Sequence, residues 1–295
     1  MKITTWNVNG IRAREAQVLE WVQREQPDIF CLQEIKASPD AVPAALSGIA
    51  PYWCYWHGYK GYSGVGLGVR KDLCAAKPEF FHPAFDHENR IVAVRLGELL
   101  IASIYVPNGN KDLPAKIRFL EALAAFARDE HAKGMKLILC GDLNVALEPR
   151  DVHPVLQKPT QTGQTEEERA LLQRILDEGL VDLLRRHHPD DDRLFTWWAP
   201  WRNFRQKNYG WRLDYVLASR TIADRAVSCD AHREFGTSDH GPVQAVLELD
   251  LPRHAPGCGE ETVTAEAPAA GPVEGQLSLP LLAPSGEDRT PGSGS

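Results

Sequence analysis

Residues 136–144 read KLILCGDLN, an apolar run of strand character that ends in a glycine followed by two polar residues. Side chains alternate along an extended backbone, so Asp142 and Asn144 can face one cleft just beyond a buried strand. Gly141 is expected to let the chain turn sharply there. The same residues also suit an Asx turn that only closes a strand. Both interpretations stand on this stretch alone.

Strand and helix patterns alternate on both sides of this stretch. A helix at residues 11–26, stopped by Pro27, separates two predicted strands at residues 2–8 and 28–33. The order predicts an α/β fold: a four-layer sandwich of two stacked, mostly antiparallel β-sheets flanked by helices. The remaining predicted strands are residues 52–70 (an antiparallel group), 91–96, 99–106, 226–231 and 243–249, and the remaining helices are 114–131 and 165–178.

Charge and composition divide the chain near residue 250. The 295 residues are 43% hydrophobic, which is ordinary for a protein with a real core. From Asp250 onward seven acids and two bases give a net charge of −5, which leaves −2 of the total −7 for residues 1–249. The last 45 residues hold seven prolines and seven glycines. We therefore expect a folded domain at 1–249 and a disordered tail at 250–295.

The cysteines and the amino terminus indicate the compartment. The six cysteines show neither a CxxC pair nor a Cys/His ligand spacing, so neither a disulfide framework nor a zinc site is predicted. The opening residues MKITTWNVNG lack an apolar signal core, and apolar runs such as residues 99–106 are too short to span a bilayer. We expect a cytoplasmic protein.

Polar side chains end many of the apolar strands. Several carboxylates and amides converging from strand ends would form an oxygen-rich site, which suits Mg²⁺ or Mn²⁺ better than zinc. Such an ion binds a phosphate oxygen and stabilises the charge that builds during attack by water. Taken one at a time, each of these residues also fits a solvated strand end. They are Asn7, Glu34, Tyr105, Asn108, Asp142, Asn144, Asp214, Asp239 and His240.

Asp214 lies within the apolar stretch GWRLDYVL, which implies a buried carboxylate. A buried charge needs a partner, and a histidinium would serve. We hypothesise that Asp214 holds His240 in its charged form against a phosphate.

Residues 196–212, TWWAPWRNFRQKNYGWR, hold the densest aromatic and basic run in the chain, with no acid. Bases can bind phosphates while aromatic faces stack on nucleic acid bases or wedge between them. The alternative is ordinary core and surface packing. The run predicts a nucleic acid contact through Trp197, Trp198, Trp201, Phe204, Tyr209 and Trp211 and through Arg202, Arg205, Lys207 and Arg212.

Six ordered motifs, WNVNG, LQEIK, YVPNG, GDLN, GWRLDYVL and SDH, lie within residues 1–249. This domain resembles the exonuclease III family of abasic-site endonucleases, within the DNase I-like metal-dependent phosphoesterases. The resemblance implies a DNA repair nuclease that cuts duplex DNA 5′ to an abasic site, leaving a 3′-hydroxyl, and that also trims 3′ ends. We expect a nucleoid-associated monomer. The general base, the number of metal ions and the balance of endonuclease and exonuclease activity stay open.

The resemblance also implies residue roles. A lesion pocket of this kind selects by shape, because a sugar that still carries its base is too bulky to enter. The implied catalytic residues are Tyr105, Asp142, Asn144, Asp214 and His240, and the metal site is Asn7, Glu34, Asp142, Asn144, Asp239 and His240. DNA contacts and the lesion pocket comprise Lys36, Asn108, Lys111, Trp197, Trp201, Arg205, Lys207, Trp211 and Leu213, with Lys60 and Lys116 as further phosphate contacts.

Two positions depart from the family pattern, and one tail segment adds a partner. Gly241 follows SDH where cysteine is common, and Asn89 precedes Arg90 where glycine is common. The tail segment QLSLPL resembles the peptide with which bacterial proteins dock on the DNA polymerase sliding clamp. Its contacts would be Gln276, Leu277, Leu279 and Leu281.

Two other functions fit parts of the sequence. Phosphoesterases of the same fold act on lipid or sugar phosphates with similar polar residues. The basic and aromatic run argues against that alternative. A non-enzymatic DNA-binding or clamp-binding protein would not need Glu34, Asp142, Asp214 and His240 together.

Overall fold

The computed structural model describes residues 1–249 and 251. Its strands are β1 Lys2–Asn7, β2 Ile29–Gln33, β3 Tyr52–Tyr59, β4 Tyr62–Arg70, β5 Phe80–Phe81, β6 Ile91–Leu96, β7 Leu99–Tyr105, β8 Lys136–Asp142, β9 Leu180–Asp182, β10 Asp214–Ser219, β11 Ala226–Ala231 and β12 Val243–Leu247. Its α-helices are α1 Glu15–Glu25, α2 Ala44–Ser47, α3 Leu113–Ala132, α4 Glu166–Asp177, α5 Leu183–His187, α6 Phe204–Lys207 and α7 Arg220–Ala223.

The strands form two six-stranded sheets. The order is β11-β12-β1-β2-β4-β3 in the first sheet and β5-β6-β7-β8-β10-β9 in the second. Each sheet has one parallel pair, β1 with β2 and β7 with β8, and its other neighbours are antiparallel. Helix α1 connects the first parallel pair and α3 connects the second. The predicted α/β sandwich with two mostly antiparallel sheets is confirmed.

Local sequence explains where the main helices begin and end. Helix α4 starts at a capping box, in which Thr165 and Glu168 each accept a hydrogen bond from the other's backbone N–H. Helix α3 starts after Asp112, whose side chain accepts from the Ala115 N–H. Helix α1 ends at Gln26, which adopts a left-handed conformation and donates its N–H to the Val22 carbonyl.

Apolar clusters fill the spaces between the layers. The cluster between the two sheets includes Ile3 and Val69 from the first sheet and Ile101 and Val216 from the second. Leu120 and Leu123 of α3 pack on the outer face of the second sheet. A third cluster, which contains Val18 and Val22 of α1 and Phe30 of β2, covers the outer face of the first sheet. Burial on both faces makes the central strands continuous apolar runs.

Gly141 has a different role from the one predicted. It lies inside β8 and not in a turn, and a Cβ atom there would come within 1.9 Å of the Ile104 carbonyl oxygen on β7. Glycine is therefore needed for close approach of the two parallel strands. The turn follows at Asn144, which has a left-handed φ of 52°.

The carboxyl-terminal predictions fall outside the described part of the chain. These predictions are the tail at 250–295 and the clamp contacts Gln276, Leu277, Leu279 and Leu281. Within the described part, no helix combines the length and apolar character needed to cross a membrane.

Candidate active site

The two parallel strand pairs bring their carboxyl ends to one edge of the sandwich. Asn7 ends β1 and Glu34 follows β2, whereas Tyr105 ends β7 and Asp142 ends β8. The carboxyl ends of parallel neighbours meet at the same edge, which is where α/β proteins commonly bind ligands. The Asn7 side chain joins the sheets: its Nδ2 donates to Glu34 Oε2 at 3.0 Å and to Asp142 Oδ2 at 2.9 Å.

Asp142 is held in place by three donated hydrogen bonds. Asn7 supplies one, and Asn144 supplies two, from its backbone N–H at 2.9 Å and from Nδ2 at 3.3 Å. Asn144 also donates to the Val106 carbonyl. Because Asp142 is 1% exposed, its orientation is set by these donors and not by solvent.

His240 lies between two buried carboxylates. Its Nδ1 is 2.8 Å from Asp214 Oδ2, and its Nε2 is 3.7 Å from Asp142 Oδ2. The structure thus contains the pair expected between Asp214 and His240. The other oxygen of Asp214, Oδ1, is buried and has no hydrogen-bond donor among the described residues.

Burial and charge act in opposite directions on the pKa of His240. Burial alone lowers it, but the carboxylates of Asp214 and Asp142 outweigh burial and raise the pKa of His240 to about 10. For Asp142, burial is the largest effect and raises its pKa to about 7, although His240 opposes the rise. Both carboxylates therefore favour the protonated imidazolium form of His240 while no metal ion is bound. An imidazolium has no lone pair for a metal ion, so the arrangement favours phosphate binding by His240 over metal ligation.

The Glu34 side of the site is more exposed and contains its own cation. Lys36 Nζ lies 2.8 Å from Glu34 Oε1 and donates to Asn9 Oδ1 at 2.6 Å. Asn9 in turn donates to Asp239 Oδ1 at 2.8 Å, and Trp197 Nε1 donates to Asp239 Oδ2 at 2.9 Å. Asn9 was not among the predicted site residues, although the motif WNVNG contains it.

Tyr105 and Asn108 complete the polar rim. Burial, followed by the charges of Glu34 and Asp142, raises the pKa of Tyr105, so its phenol stays protonated and can donate. The Arg90 guanidinium stacks over the Tyr105 ring with its central carbon 4.9 Å from the centroid. Asn108 Nδ2 donates to Asn144 Oδ1 at 3.3 Å.

A divalent cation fits the donors that converge here. The carboxylates of Glu34, Asp142, Asp214 and Asp239 provide oxygen ligands without sulfur, and the buried Asp214 Oδ1 has spare acceptor capacity. Asp142 and Asp214 each place one potential ligand atom within 4.8 Å of the other, and the adjacent His240 carries a third potential ligand atom once its ring is deprotonated. Asn7 Oδ1 accepts the Asn9 N–H and has a second lone pair that could face a metal ion.

An apolar wall adjoins the carboxylates. Trp197 and Trp211 meet edge to face with centroids 5.7 Å apart, and Trp211 packs with Leu213 and Val152. The hydrogen bond from Trp197 to Asp239 ties this wall to the polar cluster. The three residues predicted for a lesion pocket, Trp197, Trp211 and Leu213, therefore lie together beside the site.

The aromatic and basic run divides into core and surface. Trp198 is buried and donates to Asn208, and Arg212 is fully buried against Asp151 and Asp182. These two residues, expected to contact nucleic acid, are core residues instead. Arg212 is buried because two buried acids, which lie far from it in the sequence, are its partners. Local composition does not reveal such partners.

Arg205 also differs from its expected role. Its guanidinium donates to the backbone carbonyls of Arg233, Phe235 and Ser238, so it supports the loop that leads to Asp239 from within the protein. Trp201 is 58% exposed, and Lys207 is exposed as well. These two side chains remain available to a partner.

The lysines predicted to contact phosphate separate in the same way. Lys60 and Lys111 are exposed. Lys116, by contrast, is fully buried: its Nζ pairs with Glu168 Oε1 at 2.6 Å and donates to the carbonyl oxygens of Asn144 and Asn108. Lys116 therefore cannot reach phosphate, and it holds the two loops that carry these asparagines.

The departures from the family pattern have local explanations. Asn89 has a φ of 58°, in the left-handed region where glycine is favoured and asparagine is tolerated. A Cβ at Gly241 would lie 3.1 Å from the His232 carbonyl oxygen, a tight contact that glycine avoids.

Comparison with known proteins agrees with this geometry. Residues 4–240 match the model of the Endonuclease/Exonuclease/phosphatase family. The chain belongs to this family. A DNA repair nuclease, APEX1, of Danio rerio is 33% identical over 84% of this chain and 83% of its own, and an exodeoxyribonuclease of Bacillus subtilis is 30% identical over 84% and 100%.

Solved structures lead to the same group. A 3′-5′ exonuclease from Neisseria meningitidis, NExo, superposes with a TM-score of 0.76 at 33% identity, covering 84% of this chain and 100% of that one. An AP endonuclease from Archaeoglobus fulgidus superposes with a TM-score of 0.75 at 30% identity, with the same coverage. The resemblance to the exonuclease III group is confirmed, and the chain is a nuclease of this family.

Proposed function

We propose that this nuclease is a Mg²⁺- or Mn²⁺-dependent DNA repair enzyme that hydrolyses the phosphodiester bond 5′ to an abasic site and trims 3′ ends. The observation that supports it is one cleft that combines Asp142, the charged pair of His240 and Asp214, and an apolar wall of Trp197 and Trp211. The relatives named above include an abasic-site endonuclease and a 3′-5′ exonuclease. A purely lipid or sugar phosphatase would not need the apolar wall.

Glu34 and the neighbouring carboxylates would hold the divalent ion, which would supply neutralisation of the charge on the scissile phosphate. The chain's own residues then position the reactants. The imidazolium of His240 and the neutral phenol of Tyr105 donate to phosphate oxygens, and both have pKa values shifted in the direction that keeps them protonated.

Asp142 orients the attacking water and accepts its proton. A pKa of about 7 makes this carboxylate a stronger base than an ordinary aspartate while leaving it partly ionised at neutral pH. The amide donors of Asn7 and Asn144 direct its oxygens toward the cleft. His240 Nε2, 3.7 Å away, stabilises the ionised form.

The apolar wall selects the lesion. An abasic sugar that leaves the helix would pack against Trp197, Trp211 and Leu213, whereas a nucleotide with its base is too bulky. Exposed Trp201 and Lys207 are suited to contact the DNA beside the lesion.

Cleavage of three matched duplexes tests the proposal. One contains a single abasic analogue, one is undamaged and one has a recessed 3′ end, each assayed with Mg²⁺, with Mn²⁺ and with chelator. We expect incision 5′ to the lesion at least about 100-fold faster than nicking of the undamaged duplex, with no activity in chelator. Equal rates on lesion and undamaged duplexes would contradict it, and turnover of an inositol phosphate in their place would favour the alternative phosphatase.

The tail motif QLSLPL supports a further part of the proposal, recruitment to the DNA polymerase sliding clamp. Leucines two apart can enter an apolar cleft while Gln276 bonds at its rim. We expect the full chain to bind purified clamp with micromolar affinity, and the Leu279→Ala, Leu281→Ala double variant to lose at least about 10-fold. Equal binding by both proteins would remove the motif from the proposal. We also propose that the enzyme acts as a monomer in the cytoplasm, at the nucleoid.

A further inference from the structure

A second cluster of potential metal ligands lies outside the active site. It involves one edge strand from each of the two sheets. His57 is on β3, the last strand of the first sheet. His82 directly follows β5, the first strand of the second sheet, and Asp86 lies in the segment leading to β6. One ligand atom from each of the three residues lies within 4.8 Å of the others.

The contacts within this cluster are close. The His57 and His82 rings stack with centroids 3.7 Å apart at 17°, and His57 Nε2 lies 2.6 Å from Asp86 Oδ2. Tyr55 Oη is 3.0 Å from His82 Nε2, which adds an oxygen. The Asn89 amide nitrogen is 3.3 Å and 3.2 Å from the two ring nitrogens of His57.

The negative charge of Asp86 has few compensating partners besides the two histidines. Its side chain is 3% exposed, and its ion-pair partner among the described residues is His57. Its second oxygen accepts the Arg90 N–H at 2.8 Å. A buried carboxylate beside two imidazoles is the donor set that transition metal ions prefer, because imidazole is a good ligand for Zn²⁺, Ni²⁺ and Cu²⁺.

We propose that His57, His82 and Asp86 form a second metal site. This site is specific for a transition metal ion such as Zn²⁺, Ni²⁺ or Cu²⁺, and it is distinct from the oxygen-rich catalytic site. Ligands around one such ion lie about 3.4 Å apart when each bond is about 2.1 Å long, so no pair needs to close by more than about 1.4 Å. Rotation of the side chains supplies a change of this size. Tyr55 or a water molecule provides the fourth ligand.

An ion at this position would link the two sheets. It would join β3 to the segment after β5, two edge strands that already meet through the stacked rings of Tyr55 and Phe80. Binding to the folded state alone raises the stability of that state. The expected consequence is a zinc-dependent rise in melting temperature that Mg²⁺ does not produce.

Calorimetric titration of the chelator-treated full chain with Zn²⁺, in saturating Mg²⁺, tests the site. The variants are His82→Ala, His57→Ala and Asp86→Asn, with His87→Ala as the matched control, because His87 is exposed in the same segment. We expect the wild type and the control to bind one more Zn²⁺ than the three variants, or to bind it at least about 10-fold more tightly. Co²⁺ absorption should show the same difference.

The test also needs a check that each variant folds, and two results would overturn the proposal. Circular dichroism establishes folding of each variant, and His82→Gln offers a mild change if an alanine variant does not fold. Equal Zn²⁺ stoichiometry and affinity in the wild type and in every folded variant would overturn the proposal. So would an equal loss in His87→Ala, because binding would then not depend on this cluster.

Discussion

The two sides of the active site differ in burial and in how their charges are compensated. Asp142, Asp214 and His240 are buried and joined by a hydrogen bond and ion pairs, with Asp214 Oδ1 left without a donor among the described residues. Glu34 and Lys36 have side chains that are 19% and 37% exposed, and Lys36 is the cation next to Glu34. In the proposed mechanism the buried side would serve proton transfer and phosphate binding, whereas on the exposed side a metal ion would replace Lys36 as the cation beside Glu34.

The buried groups and the exposed groups are therefore expected to contribute to catalysis in different ways. Groups fixed in a low-dielectric environment stabilise developing charge without reorganising. Groups that contact solvent are better suited to binding and releasing an ion. Changes on the buried side should therefore affect turnover and stability, and changes on the exposed side should affect the metal requirement.

The largest effect is expected from Asp142→Ala. Removal of the carboxylate that orients the water should lower kcat by about 10³-fold or more while DNA binding survives. Single-turnover incision together with a gel-shift measurement checks both parts. Glu121→Ala, a change to an exposed acid on α3, is the control and should leave both unchanged. Near-normal turnover of Asp142→Ala would contradict the assigned role.

The second-largest effect is expected from the loss of a buried ion pair. Lys116→Met leaves Glu168 buried and unpaired, so we expect the free energy of unfolding to fall by about 3–5 kcal/mol. The Lys116→Met, Glu168→Gln double variant should recover part of this loss, because no buried charge then remains unpaired and the amide oxygen can still accept from the Gly163 and Thr165 N–H groups. Urea unfolding of the wild type, the single variant and the double variant measures the free energy of unfolding of each protein. A double variant no more stable than Lys116→Met would show that the charge itself is not the cause.

A third prediction concerns the charge on His240. The fold raises the pKa of His240 from its ordinary value of about 6.5 to about 10, so its stabilising contribution is complete below pH 6.5 and is lost as pH rises through 10. Asp214→Asn removes the nearest carboxylate and should bring that pKa down by about 1–3. NMR titration of metal-free protein checks the change. An unchanged pKa would remove Asp214 as its cause.

The exposed side should respond differently. Glu34→Gln is expected to raise the Mg²⁺ concentration for half-maximal activity about 10- to 100-fold, with activity largely recovered at high Mg²⁺. Glu20→Gln on α1 is a matched control at an exposed position. If Glu34→Gln lowered activity equally at all Mg²⁺ concentrations, Glu34 would act in catalysis and not in ion binding.

The smallest effect is expected at the apolar wall. Trp211→Ala should raise KM for the abasic duplex about 10-fold and reduce discrimination against the undamaged duplex, because loss of the indole opens the pocket. The undamaged duplex is the internal control. Unchanged discrimination would exclude Trp211 from lesion selection.

Local patterns predicted much of the fold because strands and helices have distinct periodicities, and the six motifs placed polar residues at strand ends. They could not predict partners distant in sequence. Lys116 resembles an exposed helical lysine until Glu168, 52 positions later, is placed beside it. The same holds for Arg212, whose acids Asp151 and Asp182 come from other segments.

The sequence predicted that most of the polar site residues lie near one another, but it did not predict the network that connects them. The carboxylates of the site were found because most of them lie at or next to a strand end. The bond from Asn7 to Asp142 and the bridge from Lys36 through Asn9 to Asp239 depend on how the two sheets stack, which no local pattern contains. The His57, His82 and Asp86 cluster was missed for the same reason, since its residues have no ligand spacing in the sequence.

The amide of Asn7, which joins the ends of both sheets, bears on when the enzyme becomes active. A growing chain that has formed only one sheet lacks half of the carboxylates, and His240 is synthesised after nearly all of the domain. A nascent or half-folded molecule therefore lacks the assembled site, and we expect it to be inactive as a nuclease.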